Sequence, residues 1–238
     1  MQAVAWYRKA AEQDDVTAQF RVAEAYASGW GVAKDPAQSV FWYTRISEKT
    51  TGYPDADYEL GMAYTNGAGV AKNDSLAVKY FRKATPYGHA KAMNNLGVAY
   101  QLGRGIKKDT VEATRWYVKA AEKGNPVAQS NLAASYALGL GVAKDEMLAS
   151  LWYLKAAEQG HAEAQYYSGV RNAQGVGVPV NLVEAVKWVT LAVAAATGEA
   201  ATTYRTYLNQ LTAKMTAAQV AEAQRLAGAW KPKVTPSP

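Results

Sequence analysis

One pattern is written into this chain five times and, in altered form, a sixth. An adjacent aromatic pair recurs as Trp6-Tyr7, Trp42-Tyr43, Tyr80-Phe81, Trp116-Tyr117 and Trp152-Tyr153, with a weaker Trp188-Val189. Successive pairs lie 36 residues apart, with one step of 38. An alanine recurs as Ala18, Ala56, Ala92, Ala128 and Ala164. Glycines recur in pairs as Gly29/Gly31, Gly67/Gly69, Gly103/Gly105, Gly139/Gly141 and Gly175/Gly177. A fixed period in this range, with two helices in each period, restricts the chain to stacked helical hairpins, an α-solenoid.

The copy from Asp109 to Val142 shows why each period is a hairpin. Asp109 can cap a helix start, because its carboxylate accepts amide hydrogens that have no partner there. Ala113, Tyr117, Ala120 and Ala121 share one helical face, bordered by Trp116. Gly124 tolerates the left-handed conformation that ends the helix. Asn125-Pro126 restarts it with a capping side chain and a proline whose missing amide hydrogen costs nothing. Ala128, Leu132 and Tyr136 form the second apolar stripe. Gly139 and Gly141 turn the chain, and Val142 plugs the turn into the core.

These residues resemble the Sel-one-like repeat family, a relative of the tetratricopeptide repeat. Ala113, Trp116, Tyr117, Lys119, Ala120, Ala121, Gly124, Ala128, Leu132, Ala133, Tyr136, Gly139, Gly141 and Val142 carry the likeness, which extends over nearly the whole chain. The resemblance implies a right-handed α/α superhelix that binds other proteins, and it implies no catalytic residues. It also implies bacterial relatives that are often exported and act in envelope biology, virulence or signalling.

The expected fold is all-α, with about six helix-turn-helix units at 1–34, 35–72, 73–108, 109–144, 145–180 and 181–213. A capping helix at 216–230 and a disordered tail at 231–238 follow. The first unit lacks its opening, since its capping residue would precede Met1. This reads either as a chosen chain start or as removal of an upstream segment. Thr50 to Pro54 lengthens the turn of the second unit, where Ile46-Ser47 replaces the alanine pair. Thr85-Pro86 should end the first helix of the third unit about a turn early. Ser168 and Asn172 replace leucine and tyrosine in the fifth. Asn181 is a plausible cap for the sixth, in which Arg205 would block the stacking of another repeat. Thr216 and Gln219 form a capping-box pattern. Val220, Ala223, Ala227 and Trp230 would dock the last helix.

Composition sets further bounds. The hydrophobic fraction is 49%, and the seven tryptophans and sixteen tyrosines fall mostly at repeat positions, so their default role is core. There is no cysteine, which excludes disulfides and thiolate metal sites. No apolar run reaches the roughly eighteen residues that a transmembrane helix needs. The net charge of +6 is scattered over the repeats, which argues against a nucleic-acid patch; it reads as a solvated basic surface or, more sharply, as a preference for an acidic protein partner.

Candidate chemistry is sparse. His89 and His161 occupy equivalent positions, shared with Asp15, Tyr53 and Asn125, and read as turn or capping residues. Lying two repeats apart, they cannot share a metal. The glycine pairs lack the preceding strand and third glycine of a dinucleotide fingerprint. No cofactor is expected. What remains is a surface made of positions that vary between units. In the first helices one such stripe includes Phe41, Lys79, Arg82, Arg115, Val118, Met147, Leu151, Leu154 and Lys187. In the family's superhelix these positions either line a concave groove, basic in the middle and apolar around Met147, Leu151 and Leu154, or touch a neighbouring helix. Trp30, between Gly29 and Gly31, is either a plug on the next repeat or an exposed anchor.

The function expected from these residues is a non-catalytic scaffold that holds a protein or peptide. The alternative is an immunity protein that neutralises a secreted toxin such as a lipase effector. A cell-wall hydrolase is less favoured, because no paired acid and nucleophile is evident, and nucleic-acid binding is not expected. A monomer is expected, located in the periplasm or secreted, with the cytoplasm as the alternative.

Overall fold

A computed structural model describes residues 2–233. Among them are thirteen α-helices and no strand. The chain divides into two compact units, the first ending at Trp116 and the second starting at Tyr117. The dividing point falls within one helix, α7.

The first unit holds α1 (Gln2–Glu12), α2 (Val16–Ser28), α3 (Pro36–Lys49), α4 (Pro54–Asn66), α5 (Asp74–Ala84), a 3-10 turn (Thr85–Tyr87), α6 (Ala90–Leu102) and the start of α7 (Thr110–Glu122). The caps follow the sequence. Asp35 and Asn73 accept amide hydrogens at the starts of α3 and α5, and Asp15 and His89 do so for α2 and α6. Tyr53 makes no such bond at α4. Pro86 has the expected effect: α5 stops at Ala84, and the chain continues as a 3-10 turn. The added residues at 50–53 lie in the turn between α3 and α4.

Each hairpin is closed by the same bond. The amide of the next first-helix cap donates to the carbonyl of the second-helix tyrosine, as in Asp35 to Tyr26 and Asn73 to Tyr64, both at 2.9 Å. This return is tight. Gly67 ends α4 in the left-handed conformation, and Gly69 has φ +77°. A side chain on Gly69 would run into the Pro36 carbonyl at the start of α3. Gly105 and Gly177 meet the Asp74 and Glu146 carbonyls in the same way, so the second glycine of these pairs is a backbone contact within the hairpin rather than a phosphate cradle. Val70 and Ile106, the counterparts of Val142, pack against the two cores of this unit.

Those cores are built from the repeat positions. Trp42, Tyr43, Ile46 and Leu60 form one, and Phe81, Ala84, Ala92 and Leu96 the other. Burying such side chains is worth on the order of 1.5–3 kcal/mol each. Gly61 lies where any Cβ would overlap the Phe81 ring, so the small residue after Leu60 sets how closely α4 and α5 approach.

The second unit holds the rest of α7, then α8 (Pro126–Leu138), α9 (Glu146–Glu158), α10 (Ala162–Gln174), α11 (Leu182–Ala195), α12 (Gly198–Thr212) and α13 (Ala217–Ala229). Asn125, Asp145, His161 and Asn181 cap α8 to α11. Thr216 and Gln219 form the full capping box of α13. Ala223 joins the core with Ala185, Val186, Val189 and Leu211. Trp230 packs edge-on to Trp188, with ring centres 6.2 Å apart.

Lys233, which the sequence assigns to a disordered tail, is held at the end of α9. The Lys233 amide donates to the Glu158 carbonyl at 2.7 Å, and its ammonium pairs with the Glu158 carboxylate at 2.7 Å. That carbonyl belongs to the end of α9, where carbonyls lack helical partners. The remainder of the tail lies outside the described residues.

Buried glutamines add a feature that the apolar pattern hides. Gln19, Gln129 and Gln165 occupy equivalent places one residue after the repeat alanine. Their amides donate to the carbonyls of Ala11, Ala121 and Ala157 at 3.1–3.2 Å. Each satisfies a carbonyl at the end of the first helix of its own hairpin.

Candidate interaction surfaces

The two histidines are structural. The Ala92 amide donates to His89 Nδ1 at 3.0 Å, and the Ala164 amide to His161 Nδ1 at 3.3 Å. An acceptor Nδ1 places the proton of the neutral ring on Nε2. In His89 that nitrogen faces Asp55 Oδ1 at 3.2 Å, and the ring stacks on Tyr58. Burial holds both imidazoles below their ordinary pKa. Asp55 opposes this at His89 and Glu163 at His161. No group of three or more His, Cys, Asp or Glu side chains among the described residues could hold a metal.

The first-helix stripe is found partly open and partly used. In the first unit Phe41 is exposed and packs edge-on against Trp42. Lys79 and Arg82 are also exposed, and Arg82 donates to the Tyr100 hydroxyl at 3.0 Å. Arg115 pairs with Glu112 one turn earlier. In the second unit Val118 is half-buried, whereas Met147, Leu151 and Leu154 are 70%, 46% and 37% exposed along one side of α9. Lys187 is mostly covered. It pairs with Glu184 at 3.0 Å and lies over the Trp188 ring.

The hollows of the first unit lie elsewhere, along its second helices. One of about 620 Å³ is lined by Tyr7, Arg21, Glu24, Trp30, Tyr43 and Glu59 among others. A second of about 340 Å³ shares Ala27, Tyr43 and Glu59 with it. A third of about 180 Å³ shares Met62 with the second and is walled by Val78, Phe81 and Asn95. None of these three is lined by Phe41, Lys79, Arg82 or Arg115. Trp30 is 58% exposed at one end of this series, so it does not plug the next repeat. Sequence reasoning placed Trp30 but missed Arg21, Glu24 and Glu59. The signal was present, because the place of Arg21 carries Glu59, Asn95, Asn131 and Tyr167 in later repeats. Variation was followed only along the first helices.

Helical hairpins capped, closed and stacked in this way, with variable side chains around open hollows, define a repeat protein built for binding. The chain belongs to the Sel1 repeat family: its residues 1–15, 16–50, 54–85, 90–125, 126–161 and 162–196 match the Sel1 repeat. Proteins of this family are generally protein-interaction scaffolds. The chain is similar to c5321, a protective antigen present in uropathogenic Escherichia coli strains that displays an SLR fold. The identity is 35%, the TM-score 0.85, and 95% of this chain is covered. It spans 47% of the length of that protein. It is also similar to a Sel1 repeat protein from Oxalobacter formigenes, at 29% identity, with a TM-score of 0.76 and 95% of each chain covered. The immunity protein Pa5087 from Pseudomonas aeruginosa shares the fold at 24% identity and a TM-score of 0.52, over 90% of this chain and 78% of that one. A comparison with curated proteins finds no match. No helix among the described residues is long and apolar enough to cross a membrane.

Proposed function

We propose that this chain is a non-catalytic scaffold whose first unit seats a partner protein or peptide in the hollows along α2, α4 and α6. One observation carries the reading: connected hollows open beside an exposed tryptophan, and one place in their lining, that of Arg21 and Glu59, differs from repeat to repeat. Exposed aromatic anchors beside concavities are the usual centres of binding energy in protein interfaces. Phe41 and the Met147, Leu151 and Leu154 row belong to the same proposal as further contact points, since apolar rows left in solvent mark partner sites.

Affinity capture from a native lysate tests this, with the intact chain compared against Trp30→Ala and against a Met147→Ser, Leu151→Ser, Leu154→Ser triple variant. A partner retained by the intact chain and lost by Trp30→Ala is the expected result. A partner indifferent to both variants would place the contact on another face.

A narrower reading is an immunity role, in which the partner is a secreted toxin. The fold shared with Pa5087 supports it, and a tight one-to-one complex that blocks a toxin's activity is its test. A periplasmic or secreted location is part of the same proposal. It draws on the likeness to c5321, an antigen, and fractionation of the native host checks it.

A further inference from the structure

We propose that the Trp30 hollow receives a lysine or arginine side chain from a basic segment of the partner. This rests on the scaffold reading above and gives it a chemistry. It departs from the acidic partner that the overall charge of +6 suggests.

The first argument is the state of the tryptophans. Trp6, Trp42, Trp152 and Trp188 each carry a cation of the chain itself over the ring: Lys9 at 4.6 Å, Arg45 at 5.5 Å, Lys155 at 4.1 Å and Lys187 at 4.3 Å. Trp30 is 58% exposed and has no such cation among the described residues. A tryptophan face is the strongest aromatic seat for an ammonium or guanidinium group. Tyr7 and Tyr43 supply two more aromatic walls of the same hollow.

The second argument is Glu59. It lines both of the larger hollows, and no hydrogen bond or ion pair reaches its carboxylate among the described residues. Burial pushes its pKa up, Asp55 and Glu24 push the same way, and Lys91 opposes them. A half-buried carboxylate in that condition gains from an incoming cation. The neighbouring charges leave this preference in place. Arg21 is taken up by Glu24 at 2.8 Å, and Asp55 faces the neutral ring of His89. Lys34 lies on the second hollow and not on the Trp30 hollow. A volume of about 620 Å³ is within the roughly 300–1,000 Å³ of ligand sites, ample for one long side chain and the backbone that carries it.

The test uses the full chain and three acetylated hexapeptides, of arginine, of glutamate and of serine. The readout is the Trp30 indole signal by NMR, assigned with Trp30→Phe. On a chain of positive net charge, binding of hexa-arginine has to come from a local site. The expected result is that hexa-arginine alone moves the Trp30 signal, that Glu59→Gln weakens it at least tenfold, and that Glu59→Lys abolishes it. The equivalent position carries asparagine in two other repeats, so Glu59→Asn serves as a second, fold-compatible variant. Hexaglutamate acting at Trp30, or a hexa-arginine affinity unchanged by all three Glu59 variants, overturns the proposal. If hexa-arginine fails while capture of a partner still depends on Trp30, the cation seat is wrong and the scaffold reading stands. If both fail, the scaffold reading fails as well.

Discussion

Each unit buries one charged side chain where other repeats place a neutral one, and the two do so with opposite polarity. In the first unit the buried group is an acid. Asp57, 2% exposed, replaces the recurring glutamine. It accepts from Ser47 Oγ at 2.5 Å and lies 3.4 Å from Lys83 Nζ, which also donates to Ser47 Oγ and to the Ser47 carbonyl. In the second unit the buried group is a base. Arg171, 8% exposed, stands where Ala25, Ala63, Ala99 and Ser135 stand elsewhere. It donates to Ser150 Oγ, to the Glu146 carbonyl and to the Glu146 carboxylate at 2.6–2.7 Å. Both clusters turn on a serine. The first joins α3 and α4 to α5, and so ties one repeat to the next. The second joins α9 to α10, within one repeat. In a repeat protein, stability sums intrinsic repeat terms and neighbour interface terms, and these two clusters feed different terms.

The largest expected effect comes from Lys83→Met. It leaves the buried Asp57 carboxylate with Ser47 alone; a fully buried charge stripped of its partner costs about 3–5 kcal/mol, and the 38% exposure of Lys83 puts this loss at the low end. Adding Asp57→Asn should return most of that loss, as read by urea unfolding. Glu146→Gln is the counterpart in the second unit. It should cost only about 1 kcal/mol, because Arg171 keeps a serine hydroxyl and a backbone carbonyl and the glutamine oxygen can still accept from it. If Glu146→Gln proves as costly as Lys83→Met, the distinction between the clusters is lost.

The histidine caps give a smaller and pH-dependent comparison, one in each unit. A capping Nδ1 cannot accept once it is protonated, and both pKa values are lowered in the fold. The unfolded chain therefore binds these protons first, and stability should fall as pH drops from about 6.5 through the lower folded values. The loss should be of the order of 1 kcal/mol for each cap. Replacing either histidine by asparagine, the residue at Asn125, should flatten that part of the pH profile while leaving stability at pH 8 nearly unchanged. A profile unaltered by both replacements would remove the histidines from the account.

Much of the hairpin architecture was legible because it is repeated. Periodic alanines and aromatics mark buried faces, glycine pairs mark turns, and cap residues mark helix starts to within a residue at Asp109, Asn181 and Thr216. Pro86 told correctly where α5 would stop. The buried polar groups were less legible. Gln19, Gln129 and Gln165 recur in three of the five repeats, yet a polar residue reads as exposed unless its acceptor is known, and that acceptor is the end of another helix. Asp57 and Arg171 look like surface charges for the same reason. The proposed binding surface was half legible. Trp30 stood out by its place in a glycine turn, but the hollows beside it need residues from α1, α2, α3 and α4 at once. Spacing along a single helix does not give that combination.

The account turns on where a partner sits. A photo-reactive side chain placed at Ser28, on the rim of the Trp30 hollow, and separately at Met147, can be irradiated in native lysate and the bound protein mapped. The scaffold reading predicts a strong crosslink from position 28 to a basic segment of the partner, one that disappears in the Glu59→Lys background. A partner crosslinked through position 147 while position 28 stays silent would contradict it.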